Sequence, residues 1–199
     1  MIRFIRSVFA LCLACFSLIS QAEQDQSEQK IIGVEAFGCI RDMTPVGEFF
    51  VANYKGDLDG TVQVASSETG GVYPPGSIVQ LVPGEAMIKH DKGFNPATKD
   101  WEFVELDVSA EETLIRKRGF ADVVNRFGGN CFACHIKAQP EFDLICAKND
   151  GCDPIPLTAD MIKGIQNTDP RCAAMELPAE QIAALQQLKA AMQKTAPAE

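Results

Sequence analysis

Short apolar runs separated by turn residues fill the chain from residue 31 to residue 106. Pairs such as Pro83-Gly84 interrupt the runs, and Gly and Pro supply the backbone angles that tight turns need. Short runs bounded in this way are typical of strands, and consecutive strands joined by tight turns pair in antiparallel fashion. The pattern predicts strands at 48–54, 61–65, 77–82, 85–90 and 101–106.

Helical signals follow these runs. The stretch from Ser109 has the Ser-x-x-Glu spacing of a helix cap, although a turn into another strand has the same pattern. Apolar residues recur at helical intervals over 120–127 and end at a glycine pair. Asn130 can cap a new helix and Thr158 a later one, and 177–194 has the apolar stripe of an amphipathic helix.

The stretch Cys131-Phe-Ala-Cys134-His135 has the spacing of a c-type haem attachment site. Two thiols at this distance can form thioethers with one porphyrin, and the adjacent imidazole then binds the iron. The alternatives are a redox or disulfide Cys-x-x-Cys pair and half of a zinc site. Zinc needs about four ligands, and the chain has two histidines, His90 and His135. A redox site would need a βαβ setting, which the flanking residues do not indicate.

We therefore expect one covalent haem c, with thioethers at Cys131 and Cys134 and His135 as the axial iron ligand. The predicted fold is α+β: a mainly antiparallel β-sheet or open barrel with helices, a haem-bearing helix after the sheet and a helical C-terminal extension. The predicted segments are a signal peptide at 1–22, a disordered leader at 23–30, a haem-binding domain at 31–156 and the extension at 157–199.

The N-terminus has the features of a secretory signal. Arg3 and Arg6 precede an apolar run over 8–19, and Ser20-Gln21-Ala22 offers small residues at the cleavage positions. The run is shorter than the ~20 residues that a bilayer-spanning helix needs, so we expect no stable membrane anchor. Cleavage after Ala22 and export to the periplasm agree with a c-type haem, which is attached after translocation.

Cleavage at Ala22 reduces the eight cysteines to six, and the haem takes two of these. An exported protein favours disulfides for the remaining four. Three connectivities exist, of which we favour Cys146 with Cys152, across a six-residue step, and Cys39 with Cys172.

Charge limits the classes of partner. The mature chain retains 16 basic and 27 acidic residues. Such an acidic surface is unsuited to nucleic acid or anionic lipid. It can dock a basic periplasmic redox partner, although solubility alone explains it. The sequence leaves a homodimer open.

Several ordered motifs resemble the cytochrome P-460 family, which includes cytochrome c′-beta. The resemblance covers residues 45–136, about half of the chain. It rests on Tyr73-Pro-Pro-Gly-Ser-Ile-Val, Met87-Ile-Lys, Gly93-Phe-Asn-Pro, Trp101-Glu-Phe-Val-Glu-Leu and the late Cys-x-x-Cys-His.

The resemblance implies a β-rich fold with a haem bound by His135 and a sixth iron position open to a small ligand. Members oxidise hydroxylamine or bind nitric oxide and related gases, so a hydroxylamine-oxidising activity is one expectation for this chain. The enzymatic branch has a lysine cross-linked to the porphyrin, and Leu81 occupies that position here. A shift in register would make Lys89 the cross-linking residue. Otherwise we expect Lys89 to be structural or solvent-facing.

Three aromatic residues, Phe49, Phe50 and Phe94, are candidates for the wall of the distal pocket, although strand aromatics also serve as simple core. A dry aromatic pocket favours neutral diatomic ligands. Glu102 or Glu105 can accept a proton if it faces the pocket, but we expect both to be exposed.

The sequence leaves two other classes of protein open. A six-coordinate electron-transfer cytochrome would use His90, expected at an exposed strand end, or a methionine such as Met161 or Met175. A disulfide-stapled binding protein without haem would require the Cys-x-x-Cys-His spacing to be fortuitous.

Overall fold

A computed structural model describes residues 32–146 and 150–195, with side chains to residue 193. The predicted signal peptide and leader lie outside the described residues. Residues Val34 to Glu199 form one compact unit. In the described ranges, no helix is long and apolar enough to cross a bilayer.

Within the described residues, six antiparallel strands form one open sheet, and each strand pairs with the next along the chain. With the helices, this sheet confirms the predicted α+β fold. The strands are β1 (Thr44–Val46), β2 (Phe49–Asn53), β3 (Ser77–Gln80), β4 (Glu85–Lys89), β5 (Trp101–Val108) and β6 (Thr113–Gly119).

The same part of the chain contains four α-helices and four one-turn 3₁₀ helices. The α-helices are α1 (Leu58–Ser66), α2 (Cys131–His135), α3 (Ala159–Asn167) and α4 (Ala179–Thr195). The 3₁₀ turns lie at Val34–Ala36, Ile40–Asp42, Pro96–Thr98 and Pro140–Phe142. The helices predicted after Thr158 and over 177–194 are therefore confirmed.

The strand predicted over 61–65 is wrong, because these residues belong to α1. Asp57 caps the helix: its side chain accepts a hydrogen bond from the backbone N–H of Gly60 at 3.0 Å. Thr61 and Ala65, four residues apart, are the buried residues of the helix. A short apolar run suits a strand or a helix equally, and here the cap and the spacing of the buried residues favour the helix.

The helix predicted over 120–127 is also wrong. The segment turns instead around Asn125, whose side-chain oxygen accepts hydrogen bonds from the N–H groups of Phe127 (3.1 Å) and Gly129 (2.9 Å). Upstream, the hydroxyl of Ser109 accepts hydrogen bonds from the N–H groups of Glu111 and Glu112. Ser109 thus begins a turn into β6, the second of its two sequence interpretations.

The central strands β3, β4 and β5 are buried on both faces. One face, which we call the motif face, presents Phe49, Val51, Val79, Met87 and Phe103 to a single apolar core. Cys131 and Phe132 of α2 pack against this core. Because side chains alternate along a strand, the intervening residues of β3, β4 and β5 point to the opposite face.

The described cysteines form two disulfides, and both predicted pairings are confirmed. Cys39 bonds to Cys172 across 133 residues, with a Cα–Cα distance of 4.8 Å. Cys146 bonds to Cys152, with a Cα–Cα distance of 5.8 Å. The first joins the segment after α3 to the segment before β1.

Candidate haem site

The loop before α2 fixes where the Cys-x-x-Cys-His helix begins. Asn130 is its N-cap, because its side-chain oxygen accepts a hydrogen bond from the N–H of Ala133 at 2.7 Å, as predicted. The amide of the same side chain donates to the carbonyl of Ala121 at 2.9 Å. The N–H of Cys131 donates to the carbonyl of Val123 at 3.0 Å. These bonds place both cysteines and the histidine on one short helix beside the sheet.

Cys131 and Cys134 are the free thiols among the described cysteines. Cys131 is half-buried and Cys134 is exposed. Burial, together with the nearby carboxylates of Glu85 and Glu105, raises the pKa of Cys131 to about 11. Redox-active cysteines in Cys-x-x-Cys pairs have a depressed pKa. The environment of Cys131 therefore differs from that of a thiol–disulfide oxidoreductase.

His135 has one ring nitrogen committed to the backbone. Its Nδ1 lies 2.7 Å from the carbonyl oxygen of Leu144. A carbonyl only accepts, so Nδ1 carries the proton and Nε2 keeps its lone pair. Burial lowers the pKa of His135 although the hydrogen bond to Leu144 opposes this effect. The hydrogen bond thus leaves Nε2 as the ring nitrogen suited to a metal.

Phe103 provides the surface against which the motif packs. Its ring centroid lies 5.4 Å from that of His135 and 6.3 Å from that of Phe132. Phe103 is not among the site residues predicted from the sequence. The alternation of β5 carried a signal for it, because Trp101, Phe103 and Glu105 share one face of the strand.

The three aromatic candidates for a distal wall lie in different places. Phe49 belongs to the core of the motif face. Phe50 pairs with Gln80 and points to the opposite face. Phe94 stacks on the His90 ring at 4.0 Å between centroids. Of the three, Phe49 is the one that shares a core with α2.

Lys89 is buried rather than solvent-facing. Its ammonium group donates to both carboxylate oxygens of Asp143, at 2.8 and 3.0 Å. It also donates to the carbonyl of Lys99 at 2.7 Å and lies 5.1 Å from the centroid of the Trp101 ring. The first of the two default expectations for Lys89, a structural role, agrees with these contacts.

The expectation that His90 and Glu102 are exposed is wrong. His90 retains 2% of its accessible surface and Glu102 retains 5%. The Nε2 atom of His90 lies 2.7 Å from Glu102, and Nε of Arg118 donates to the same carboxylate at 2.5 Å. Burial acts to raise the pKa of Glu102, but the bonds from Arg118 and His90 outweigh it and lower the pKa. The hydrogen bonds among His90, Glu102 and Arg118 provide the polar partners that allow His90, predicted at an exposed strand end, to be buried.

Glu105 is also fully buried, contrary to expectation. It lies opposite Glu85 in the pairing of β4 and β5, and one oxygen accepts a hydrogen bond from Arg116 at 2.7 Å. Burial and the charge of Glu105 raise the pKa of Glu85 to about 7, against the weaker effects of Arg126 and Asn125. The other oxygen of Glu105 has no donor among the described residues. Protonated Glu85 can donate to it.

The methionine candidates lie on or after α3. Met161 is half-buried in its first turn. Met175 is exposed, and its sulfur accepts a hydrogen bond from Nη1 of Arg41 at 3.1 Å. Over 32–146 and 150–195, no group of three or more His, Cys, Asp or Glu side chains converges as a metal site would.

The residues of α2 fit a c-type haem. Two free thiols lie on one helix, and the adjacent imidazole has an available Nε2 and a backbone acceptor for its Nδ1 proton, as metal-binding histidines have. Comparison of the chain with protein-family models, characterised proteins and solved structures finds no match.

Proposed function

We propose that this chain is an exported c-type cytochrome of the P-460 type. It carries one haem joined to Cys131 and Cys134, with His135 as the axial ligand and an open sixth position. Its role is to bind, or to convert by redox chemistry, a small neutral nitrogen species such as nitric oxide or hydroxylamine. When bound, the haem iron supplies the ligand-binding and electron-transfer chemistry.

The hydrogen bond between His135 and the Leu144 carbonyl carries this proposal. A histidine that binds a metal through Nε2 nearly always donates its Nδ1 proton to a carbonyl or carboxylate. In this chain the arrangement occurs at the histidine of the Cys-x-x-Cys-His motif. The four other described cysteines form disulfides and leave the motif thiols free. The fit of these thiols and this imidazole to one porphyrin supports the haem.

Apolar side chains beside the motif support the same proposal. Phe127 is 65% exposed, Ile136 54% and Val124 39%. Val124 and Phe127 lie in the loop that leads into α2, and Ile136 directly follows the helix. A porphyrin tethered at Cys131 and Cys134 would cover apolar surface next to α2.

The position of Lys89 favours ligand chemistry without a cross-link. Its ammonium group is engaged by Asp143 and Lys99 in a buried site. Leu81, at the position of the family's cross-linking lysine, has no nucleophilic group. An apolar distal wall suits a neutral ligand, because a charged one would lose its solvation there, and Phe49 of the motif-face core is the aromatic candidate for that wall.

Expression in a bacterial periplasm with the haem-attachment machinery tests the proposal. We expect the purified protein to gain the mass of one haem, and the gain to be lost in a Cys131→Ser, Cys134→Ser double variant. The ferrous protein should have a five-coordinate high-spin spectrum that changes on addition of nitric oxide.

The possible outcomes separate the function classes. A protein without covalent haem would refute the proposal and favour a binding protein that lacks haem. Covalent haem with sharp low-spin bands in both oxidation states would instead indicate a six-coordinate electron-transfer cytochrome. A strongly red-shifted Soret band on reduction would indicate a lysine cross-link and contradict the inference from Leu81 and Lys89.

A further inference from the structure

Leu144, whose carbonyl accepts the Nδ1 proton of His135, lies in an unusual turn. The φ angle is 51° at Asp143 and 69° at Leu144, in the left-handed region that residues other than glycine rarely adopt. Two successive residues remain there only where surrounding contacts over-determine the backbone. The contacts that hold this turn therefore also fix the Leu144 carbonyl.

The carboxylate of Asp143 makes those contacts. It accepts two hydrogen bonds from Nζ of Lys89, at 2.8 and 3.0 Å, and one from the N–H of Tyr73 at 3.0 Å. The side chains of Lys89 and Asp143 retain 6% and 4% of their accessible surface. Water cannot replace either partner without opening the core.

The sheet also fixes the position of Lys89. Lys89 ends β4 opposite Trp101 of β5, and its ammonium group also donates to the carbonyl of Lys99 at 2.7 Å. An ammonium group has three protons, and the two oxygens of Asp143 with this carbonyl are their three acceptors. The ion pair thus ties the turn at 143–144 to the place where β4 ends and β5 begins.

A contribution to stability explains the buried ion pair of Lys89 and Asp143 only weakly. Desolvation of two charges offsets most of their attraction, and apolar residues of equal volume often stabilise a fold as well. Positioning gives a more specific account. Leu144 directly follows Asp143, so displacement of the carboxylate displaces the carbonyl that His135 contacts.

We propose that Lys89 and Asp143 are positioning residues that orient the His135 imidazole through the Leu144 carbonyl. This inference rests on the proposed function, because it takes His135 as the iron ligand. A hydrogen bond from Nδ1 to a carbonyl fixes the plane of the imidazole and raises its basicity toward the metal. A looser turn weakens that bond, makes His135 a poorer donor and favours the ferrous state.

The test compares the haem-loaded wild type with Lys89→Met and Asp143→Asn by redox titration and by the iron–histidine stretching band of the ferrous protein. For Lys89→Met we expect a higher midpoint potential, by an equilibrium change on the order of tenfold or about 59 mV, and a lower stretching frequency. Asp143→Asn should shift both in the same direction by less, because the amide oxygen still accepts hydrogen bonds.

Arg171→Met is the matched control. Arg171 and Asp169 form an ion pair as buried as that of Lys89 and Asp143, with 8% and 0% of their surface exposed. Replacement of Arg171 also leaves a buried carboxylate, that of Asp169, without its cation. Asp169, however, accepts a hydrogen bond from the N–H of Ile40 and does not contact the turn at Leu144. We expect Arg171→Met to lower resistance to denaturant without moving the potential or the band.

The outcomes distinguish this inference from the proposed function. A wild type without covalent haem would refute both. A haem-loaded wild type whose potential and band are unchanged in the Lys89 and Asp143 variants, or shift equally in Arg171→Met, would refute the positioning role alone. If Lys89→Met fails to accumulate, Asp143→Asn, which preserves the shape of the side chain, decides the question by the same criteria.

Discussion

Replacement of Glu85 by glutamine should change how the stability of the protein depends on pH. Glu85 lies opposite Glu105 in adjacent strands, and burial next to that carboxylate raises its pKa from 4.5 to about 7. The folded protein therefore binds a proton at Glu85 more tightly than the unfolded chain does. In the wild type, this stabilising contribution is complete below pH 4.5 and is lost as the pH rises through 7.

The size of the effect follows from the shift. Each pKa unit corresponds to about 1.4 kcal/mol, so the rise from 4.5 to about 7 gives about 3–4 kcal/mol as an upper bound. Glu85→Gln removes the titration but keeps the shape, and its amide can donate to the unpartnered oxygen of Glu105 at every pH. The variant should therefore gain stability relative to the wild type as the pH rises from 5 to 8.

Urea unfolding at several pH values between 5 and 8 measures this difference. Glu111→Gln is the control, since Glu111 is an exposed carboxylate in the turn before β6 and its removal changes the net charge equally. The free energies of unfolding of Glu85→Gln and the wild type should diverge with rising pH, whereas those of Glu111→Gln should run parallel to the wild type. Parallel profiles for all three proteins would refute the shared proton between Glu85 and Glu105.

Three further predictions concern stability around the motif. Asn130→Ala removes the cap of α2 and should cost about 1 kcal/mol, measured by urea unfolding; Asn130→Asp should retain most of it. Phe103→Ala opens the core beneath His135 and should cost about 3–5 kcal/mol, whereas an unchanged midpoint would contradict the packing described. Serine replacement of both Cys39 and Cys172 removes a disulfide that closes a loop of 133 residues. It should lower the free energy of unfolding by about 4 kcal/mol, more than removal of the disulfide at Cys146, which closes a six-residue loop.

Local patterns predicted much of this fold. Four of the five predicted strands occur, and Asn130 and Thr158 cap helices as expected, because a cap depends on residues within one turn. Predictions of secondary structure were wrong where one sequence pattern suits two different structures. The apolar run at 61–65 suits a strand or a helix, and the spacing over 120–127 suggested a helix where Asn125 bonds its own backbone in a turn.

The partners of the site residues could not be read from the sequence, because distant residues provide them. Lys89 meets Asp143 across 54 residues, and no local signal announces the left-handed φ of Leu144. His90 looked exposed because charged residues flank it. It is buried because Glu102 and Arg118, from the two following strands, supply a charged partner network.

The register of β4 also bears on the sixth iron position. In the pairing of β4 with β5, Lys89 lies opposite Trp101 and Glu85 lies opposite Glu105, so these alternate residues of β4 are on the motif face. Ile88 pairs with Glu102 and points to the opposite face, where His90 bonds to Glu102. A slip of one residue would exchange the two faces and break the Lys89 ion pair as well as the bonds of Glu102. Bis-histidine ligation therefore requires this sheet to re-register, so a low-spin spectrum would point to a sixth ligand other than His90. In that case His90→Gln should leave the spectrum unchanged, and a His90→Gln variant that becomes high-spin would show that the register described here is not the one in the haem-loaded protein.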